Sequence, residues 1–443
     1  MSDQKARKDG SIFEWNGRPP FGKVFPLALQ HVVAMIVGCV TPAIIVAGVA
    51  MGKGDMTAEG KVLLVQSALI IAALATLVQI FPIGKKVGSG LPVIMGVSFA
   101  YLASLQAVAA EYSMAAIFGA ELIGGIVAVI VGIFVRKLTR FFPTLVTGTV
   151  VFTIGLSLYP TAINYMAGGK GAETYGSWQN WLVALVTLVI VTVLNHFAKG
   201  FVKLASILIG MIAGYVLSIF FGMVDFSAVS QAGWFQIVRP MHFGMEFEPA
   251  AIISVVILYV VNSVQAIGDL TATTEGGMDR SPTDKELSGG IIGNGVASIL
   301  GAFIGGLPTA TFSQNVGIVN TTKVVNRCVF GLAAVIILIA GIVPKFSSVL
   351  TTIPSCVLGG ATVSVFASIT MTGIKLICKN ELNYRNCSIV GLAVALGIGI
   401  TQVPETLAAF PSWVTIIFGK SAVVVATIVA VFLNIIIPDK EAE

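Results

Sequence analysis

Gln265 and Asp269 stand four residues apart in the apolar stretch Ile252 to Thr274, which also holds Asn262 and Ser263. That spacing puts both side chains on one face of a helix. An amide offers a donor and an acceptor together, and a carboxylate offers acceptors or a titratable oxygen. Such groups are costly in a membrane-length apolar run, so they mark a path for an ion or a polar solute. Three readings of Asp269 are open: a proton or cation site, an anchor for a ligand-binding side chain, or a helix-terminal acid in water near Glu275, Asp279 and Arg280. His31, beside Gln30 in the first apolar run, is either a hydrogen-bonded structural residue or a titrating one. His196 and His242 fall at a span end and in a loop and receive no function.

A third polar group is the string Gln314-Asn315-Val316-Gly317, followed by Thr322-Lys323. It sits in Leu307 to Val319, which like Ser89 to Tyr101 is short, holds Gly and Pro, and is too polar for an ordinary span. A broken or extended backbone in hydrocarbon leaves N–H and C=O groups unpaired at several kcal/mol each. Such segments survive where they line a protein-enclosed cavity. A pair of them at corresponding places in two halves points to a substrate site; a pair of structural re-entrant loops is the alternative.

The elements that must position these residues are membrane helices. The chain has 443 residues, 56% hydrophobic and 11% charged, far below the roughly one quarter charged of a soluble domain. Apolar blocks such as Lys61 to Phe81, Ala115 to Val135 and Val324 to Val343 approach the ~20 residues that span a bilayer. About fourteen spans are read, starting near 25, 61, 90, 113, 142, 180 and 201, then 250, 287, 307, 324, 350, 387 and 420. Counted from a cytoplasmic N-terminus, 20 of the 26 Lys and Arg residues fall in alternate connections, from Lys5, Arg7 and Lys8 through Lys85, Arg136, Lys137 and Arg140 to Lys440. By the positive-inside rule both termini are cytoplasmic. The net charge of +5 is therefore topological, and no nucleic-acid partner is assigned. The first span serves as the insertion signal, and the five cysteines show no metal-ligand spacing and are read as free thiols.

The long polar connection 223–249 divides the spans seven and seven, and an odd number of spans, when repeated, must be inverted. Two echoes support the repeat. Gly90-Leu91-Pro92 is matched by Gly306-Leu307-Pro308, 216 positions on, and Phe142-Pro143 with Gly148 by Ile353-Pro354 with Gly359, 211 positions on. The fold expected is all-α and polytopic, with an inverted repeat.

The string from Gln314 to Lys323 resembles the signature of the nucleobase–ascorbate transporter family: Gln, Glu or Pro, then Asn-x-Gly, four variable residues, Thr, and usually Arg, Lys or Gly. Gln314, Asn315, Gly317, Thr322 and Lys323 all fit. Leu29-Gln30-His31, Gly96-Val97-Ser98-Phe99 and Gln265-Ala266-Ile267-Gly268-Asp269 are similar to the family's other marks, in order and across essentially the whole chain.

The resemblance implies a core domain, 25–140 and 250–345, and a gate domain, 141–222 and 346–438, flanked by cytoplasmic tails 1–24 and 439–443, with short strands in the third and tenth segments. It places substrate between those segments and the eighth span. Gln314 and Gln265 would hydrogen-bond the base, backbone near Ser98, Phe99 and Ser313 would face it, and Phe99 or Phe312 would stack on it. Asn315 would brace the site, with Asp269 and His31 as polar partners behind the ligand. Gln at the first signature position is typical of purine carriers, so the expected cargo is xanthine, urate or a related purine, carried across the inner membrane by H+ symport in a homodimer without a cofactor, metal or catalytic residue.

One departure stands out. Proton-coupled members usually carry Glu where this chain has Gln265, and an amide cannot titrate. Coupling would then fall to Asp269, to His31 or to a sodium ion. Uracil or another nucleobase is the alternative cargo, and an anion exchanger of the same fold a more distant reading. A membrane enzyme would need clustered catalytic residues or metal ligands, which three scattered histidines do not supply.

Overall fold

A computed structural model describes residues 11–84, 86–135 and 142–437. Lys5, Arg7, Lys8, Lys85, Arg136, Lys137, Arg140, Lys440 and the tail 439–443 lie outside the described residues. The apolar runs fold as helices because a helix pairs its backbone groups within one segment, which hydrocarbon demands. In chain order the first half contains α1 (Phe21–Lys53), α2 (Ala58–Ile80), strand β1 (Met95–Val97) leading to α3 (Leu102–Glu111), α4 (Met114–Ile133), α5 (Thr144–Met166), α6 (Trp178–Phe197) and α7 (Ser206–Phe220). The second contains α8 (Pro249–Met278), α9 (Asp284–Ile304), strand β2 (Thr309–Thr311) leading to α10 (Ser313–Thr322), α11 (Arg327–Ile342), α12 (Ser355–Ile377), α13 (Tyr384–Gln402) and α14 (Ala422–Ile436). Among the described residues nine helices are long and apolar enough to cross a membrane alone; α11 with the short helix Pro344–Thr351 makes a tenth such element, and α7 and α14 are shorter. With the two strand–helix segments, these fill the fourteen expected places.

Helix starts carry the caps their sequences supply. The hydroxyls of Thr57, Ser113 and Ser177 accept first-turn N–H bonds of α2, α4 and α6, and Thr283 with Glu286 forms a capping box on α9. The expected start of the twelfth span near 350 is corrected to Ser355. The chain turns by 81° after α11 into Pro344–Thr351, because Val343 is extended and Pro344, lacking an N–H, opens a new helix.

The repeat is visible in packing. α5 and α12 both follow a proline N-cap, Pro143 and Pro354. A methyl at Gly148 of α5 would sit 2.8 Å from the Ile377 backbone nitrogen at the end of α12, and one at Gly359 would sit 2.2 Å from that of Met166 at the end of α5. Each helix thus gives the other a glycine notch at matching positions, as an antiparallel pair related by inversion requires. The Gly-Leu-Pro echo is less faithful. β1 and β2 start at Met95 and Thr309, 214 positions apart, so the 216-residue echo lies two residues out of register with the strands.

The helices pack as two groups. α1 to α4 contact α8 to α11, with α9 along α4 and α11 along α2, while α5, α6 and α7 contact α12, α13 and α14. One face of the molecule gathers the N-terminal turn and the 323–327 connection, where Asn326 Nδ2 donates to the carbonyls of Glu14 and Gly17 at 2.8 and 2.9 Å; it also carries the α8–α9 and α12–α13 connections with Arg280, Lys375 and Lys379. The opposite face joins the α1–α2 and α3–α4 connections, with Asp55 accepting from Met114 N–H at 2.7 Å.

Candidate functional site

β1 and β2 pair antiparallel, Met95 with Thr311, Gly96 with Ala310 and Val97 with Thr309. The pairing continues at both ends, Ser98 N–H to Pro308 C=O and Phe312 N–H to Ile94 C=O, each 3.0 Å. The outer edges find side chains in place of water. Met95 N–H donates to Thr76 Oγ1 at 2.9 Å, and Asn262 Nδ2 donates to the Thr309 carbonyl at 3.3 Å. Thr309 Oγ1 in turn donates to Asn294 Oδ1 at 2.8 Å. Extended backbone is tolerated here because it is paired inside protein.

Each strand feeds a helix that starts at the ribbon. Ser98 Oγ accepts from Ala100 N–H at 3.2 Å at the turn into α3, and Phe312 is the residue before α10. First-turn N–H groups have no intrahelical partner and carry the positive end of the helix dipole. The residues at both starts, Ser98 to Ala100 and Phe312 to Gln314, border one place.

There the structure has a cavity of about 240 Å³, just below the ligand-pocket range of roughly 300–1,000 Å³. Ser98, Phe99, Gln265, Phe312, Ser313 and Gln314 all line it, with Val97, Ala100, Ala310 and Thr311. Five lining residues lie outside the segments expected to surround the substrate: Val151 and Ile154 of α5, and Ser368, Ile369 and Thr372 of α12. None of the lining residues is charged. The Phe312 ring is locked, since a methyl at Gly96 would stand 2.4 Å from it and one at Gly38 2.8 Å. Phe99 meets Phe366 of α12 edge-on, with ring centroids 5.2 Å apart.

The remaining sequence candidates surround the cavity without lining it. α8 continues well beyond Asp269, so the helix-terminal reading of that acid does not hold. Its two carboxylate oxygens accept from Thr311 Oγ1 at 2.5 Å and Ser313 Oγ at 2.9 Å. His31 and Asn315 are buried together, the Asn315 amide reaching both His31 Nδ1 at 3.0 Å and the His31 carbonyl at 3.1 Å. Because that amide nitrogen can only donate, Nδ1 accepts, which puts the imidazole proton on Nε2. The ring packs on Phe330 at 4.6 Å. Farther along α10, Gly317 is exposed with open space where a Cβ would go, and Thr322 Oγ1 donates to the Ile318 carbonyl at 2.8 Å. Lys323 closes the helix at φ 58° and bonds Asp279 of the α8 C-cap at 3.2 Å, as well as the Gly276 carbonyl.

Exposure and cross-group contacts differ between the two faces flanking the cavity. Exposed positions run from it toward the face with Lys323 and Lys375: Gly268 and Glu275 on α8, Gly317 and Thr321 on α10, Thr372 and Lys375 on α12. Toward the other face the two helix groups are tied across. Ser104 Oγ of α3 donates to Ser421 Oγ at 3.0 Å and accepts from Ser254 Oγ of α8 at 3.2 Å, all three buried. Beyond them Thr161 of α5 bonds Gln106 at 3.3 Å, and Lys420 lies 3.8 Å from Glu111.

A family model described as "Permease family" matches residues 22–406. The chain belongs to the nucleobase–ascorbate transporter family. Among similar members, the xanthine permease of Bacillus subtilis is 37% identical over 95% of this chain and 94% of its own. The uric acid permease PucJ of the same organism is 36% identical over 93% and 92%. The xanthine permease XanQ of Escherichia coli K12 is 32% identical over 99% and 96%. The fold is shared more widely than the sequence. The transmembrane domain of the cyanobacterial bicarbonate transporter BicA superposes with a TM-score of 0.56 at 17% identity, covering 91% of this chain and 97% of that one. SLC26A9 superposes with 0.58 at 10%, covering 92% and 65%. Family membership makes the chain a multi-pass membrane transporter rather than an enzyme.

Proposed function

We propose that the protein imports a purine nucleobase, xanthine, urate or a close relative, across the inner membrane by H+ symport with alternating access. The observation that carries this reading is a small uncharged cavity that two carboxamides enter from two helices, Gln265 from α8 and Gln314 from α10. A purinedione presents adjacent N–H and C=O groups on its edges, and each amide pairs with one such edge. The backbone N–H groups of Phe99 and Ser313, at the two helix starts, would add donors for its carbonyl oxygens. The lack of a lining arginine or lysine favours this neutral ring over sulfate or bicarbonate, whose carriers share the fold. The relatives that are xanthine and uric acid permeases support the same cargo class.

In this reading α1 to α4 with α8 to α11 form the core that holds the base, and α5 to α7 with α12 to α14 form the gate. The basic face is cytoplasmic, as are both termini, so the structure corresponds to an inward-open state with its outer side shut. Asp269 and the His31–Asn315 pair hold the lining side chains in place. The working unit is a homodimer. The test is uptake of labelled xanthine, urate, guanine and uracil by expressing cells, with protonophore added or sodium replaced. Xanthine or urate uptake that collapses with protonophore and ignores sodium is expected; uptake of none of the purines would contradict the reading.

A further inference from the structure

With Gln265 unable to titrate, proton coupling needs another group, and one stands apart from the cavity. Glu121 of α4 is fully buried, and neither of its carboxylate oxygens has a hydrogen-bond partner among the described residues. Among the described residues no basic side chain forms an ion pair with it. An ionised carboxylate so placed is prohibitively costly, and the usual outcome is that it takes up a proton.

Its surroundings are polar and equally unsatisfied. The titratable groups that face it are two phenols, Tyr101 at the start of α3 and Tyr259 on α8; their rings lie 4.9 Å apart. Tyr101 faces Asn262 and Tyr259 faces Ser298 of α9. Yet the two hydroxyls, Asn262 Oδ1 and Ser298 Oγ all lack a partner of proper geometry. α9 makes room for the acid at Gly301, where a methyl would come within 2.9 Å of Glu121 Oε1.

We propose that Glu121 is a proton-binding site through which the proton gradient acts on the substrate cavity. This rests on the symport reading above. The route to the cavity is short. Tyr101 follows Phe99 by two residues, and Asn262 bonds the backbone of β2 at Thr309. When Glu121 is ionised, both phenols turn to donate to it. When it is protonated they are released to Asn262 and Ser298, and β2 and the start of α3 take the geometry that receives the base. The proton enters from outer water with the purine and leaves to cytoplasmic water after it; no other bond changes.

Glu121→Gln mimics the protonated acid. In proteoliposomes it is expected to keep exchange of labelled for unlabelled xanthine near the wild-type rate, while losing uphill accumulation, so that the ratio falls to one, and losing xanthine-driven proton entry. In the infrared spectrum of the purified protein, the C=O stretch of a protonated carboxylic acid should be present in the wild type and absent in Glu121→Gln. Uphill accumulation with wild-type pH dependence in Glu121→Gln, or an unchanged infrared band, overturns the proposal while leaving purine transport intact. Accumulation driven by sodium, with that dependence lost in Glu121→Gln, overturns it in favour of a cation site. Absence of purine uptake by the wild type removes the symport reading and the coupling with it. Should Glu121→Gln fail to fold, Tyr259→Phe is expected to shift the pH profile of accumulation, and an unshifted profile counts against the proposal.

Discussion

Asp269 and Thr311 are joined by a 2.5 Å hydrogen bond that ties α8 to the end of β2. The acid holds the next residue but one as well, through Ser313 Oγ, and so fixes the stretch that carries Phe312 and delivers Gln314. Hydrogen bonds to a charged acceptor contribute about 1.5–3 kcal/mol each. Asp269→Asn keeps size but offers one acceptor oxygen, so xanthine affinity should fall at least about tenfold, with Thr311→Val giving part of that loss. A double-mutant cycle on binding measures the coupling; additive effects would place Asp269 outside this arrangement.

The Phe312 ring should be sensitive to one added carbon. Gly96→Ala puts a methyl 2.4 Å from the ring, and overpacking costs typically about 1–3 kcal/mol. Because the ring has β1 on one side and the cavity on the other, its escape is into the cavity. Uptake by Gly96→Ala should drop at least about fivefold with normal membrane abundance. Wild-type uptake would mean that the ring can move aside freely.

Much of this was legible in the sequence, for identifiable reasons. The spans are apolar blocks of bilayer length, and the two interrupted segments betray themselves by Gly, Pro and polar residues crowded into runs too short and too polar for a span. Glu121 escaped because one acid in Met114–Ile133 carries no pattern; only the structure shows that nothing pairs with it. Ser368 and Thr372 escaped for a related reason. Their hydroxyls bond carbonyls one turn back, Ser364 and Ser368, which is how such residues sit in any membrane helix. That they also face a cavity depends on how α12 packs opposite α8 and α10, and that is not written in local spacing. The bend at Val343 is marked locally by Pro344, but the short helix Pro344–Thr351 reads as a connection because Lys345, Ser347 and Ser348 interrupt its apolar residues.

Gln265→Glu restores a carboxylate at the cavity wall. It replaces a donor–acceptor pair with acceptors or a titrating acid, so both the order of preference among purines and the pH profile of uptake should change. Competition curves with unlabelled bases at two pH values provide the check. Identical curves would show that this side chain does not meet the ligand.

Ser104 and Ser421 bring α3 and the start of α14 within 3.0 Å on the closed side. If that side must open for the base to enter, a covalent tie there stops transport. In a background lacking the exposed Cys328, Cys378 and Cys387, the pair Ser104→Cys with Ser421→Cys should lose uptake on oxidation and regain it on reduction. Uptake that survives a verified crosslink would mean that the two helices move together.

The most direct test is equilibrium binding of xanthine to the purified protein and to Gln314→Ala. Removing the amide leaves a buried polar edge of the base unpaired, at about 1–3 kcal/mol or more, so the variant should bind at least about fivefold more weakly with an unchanged melting temperature. Equal affinity in the two proteins would show that the base does not meet Gln314 in the cavity between α8 and α10.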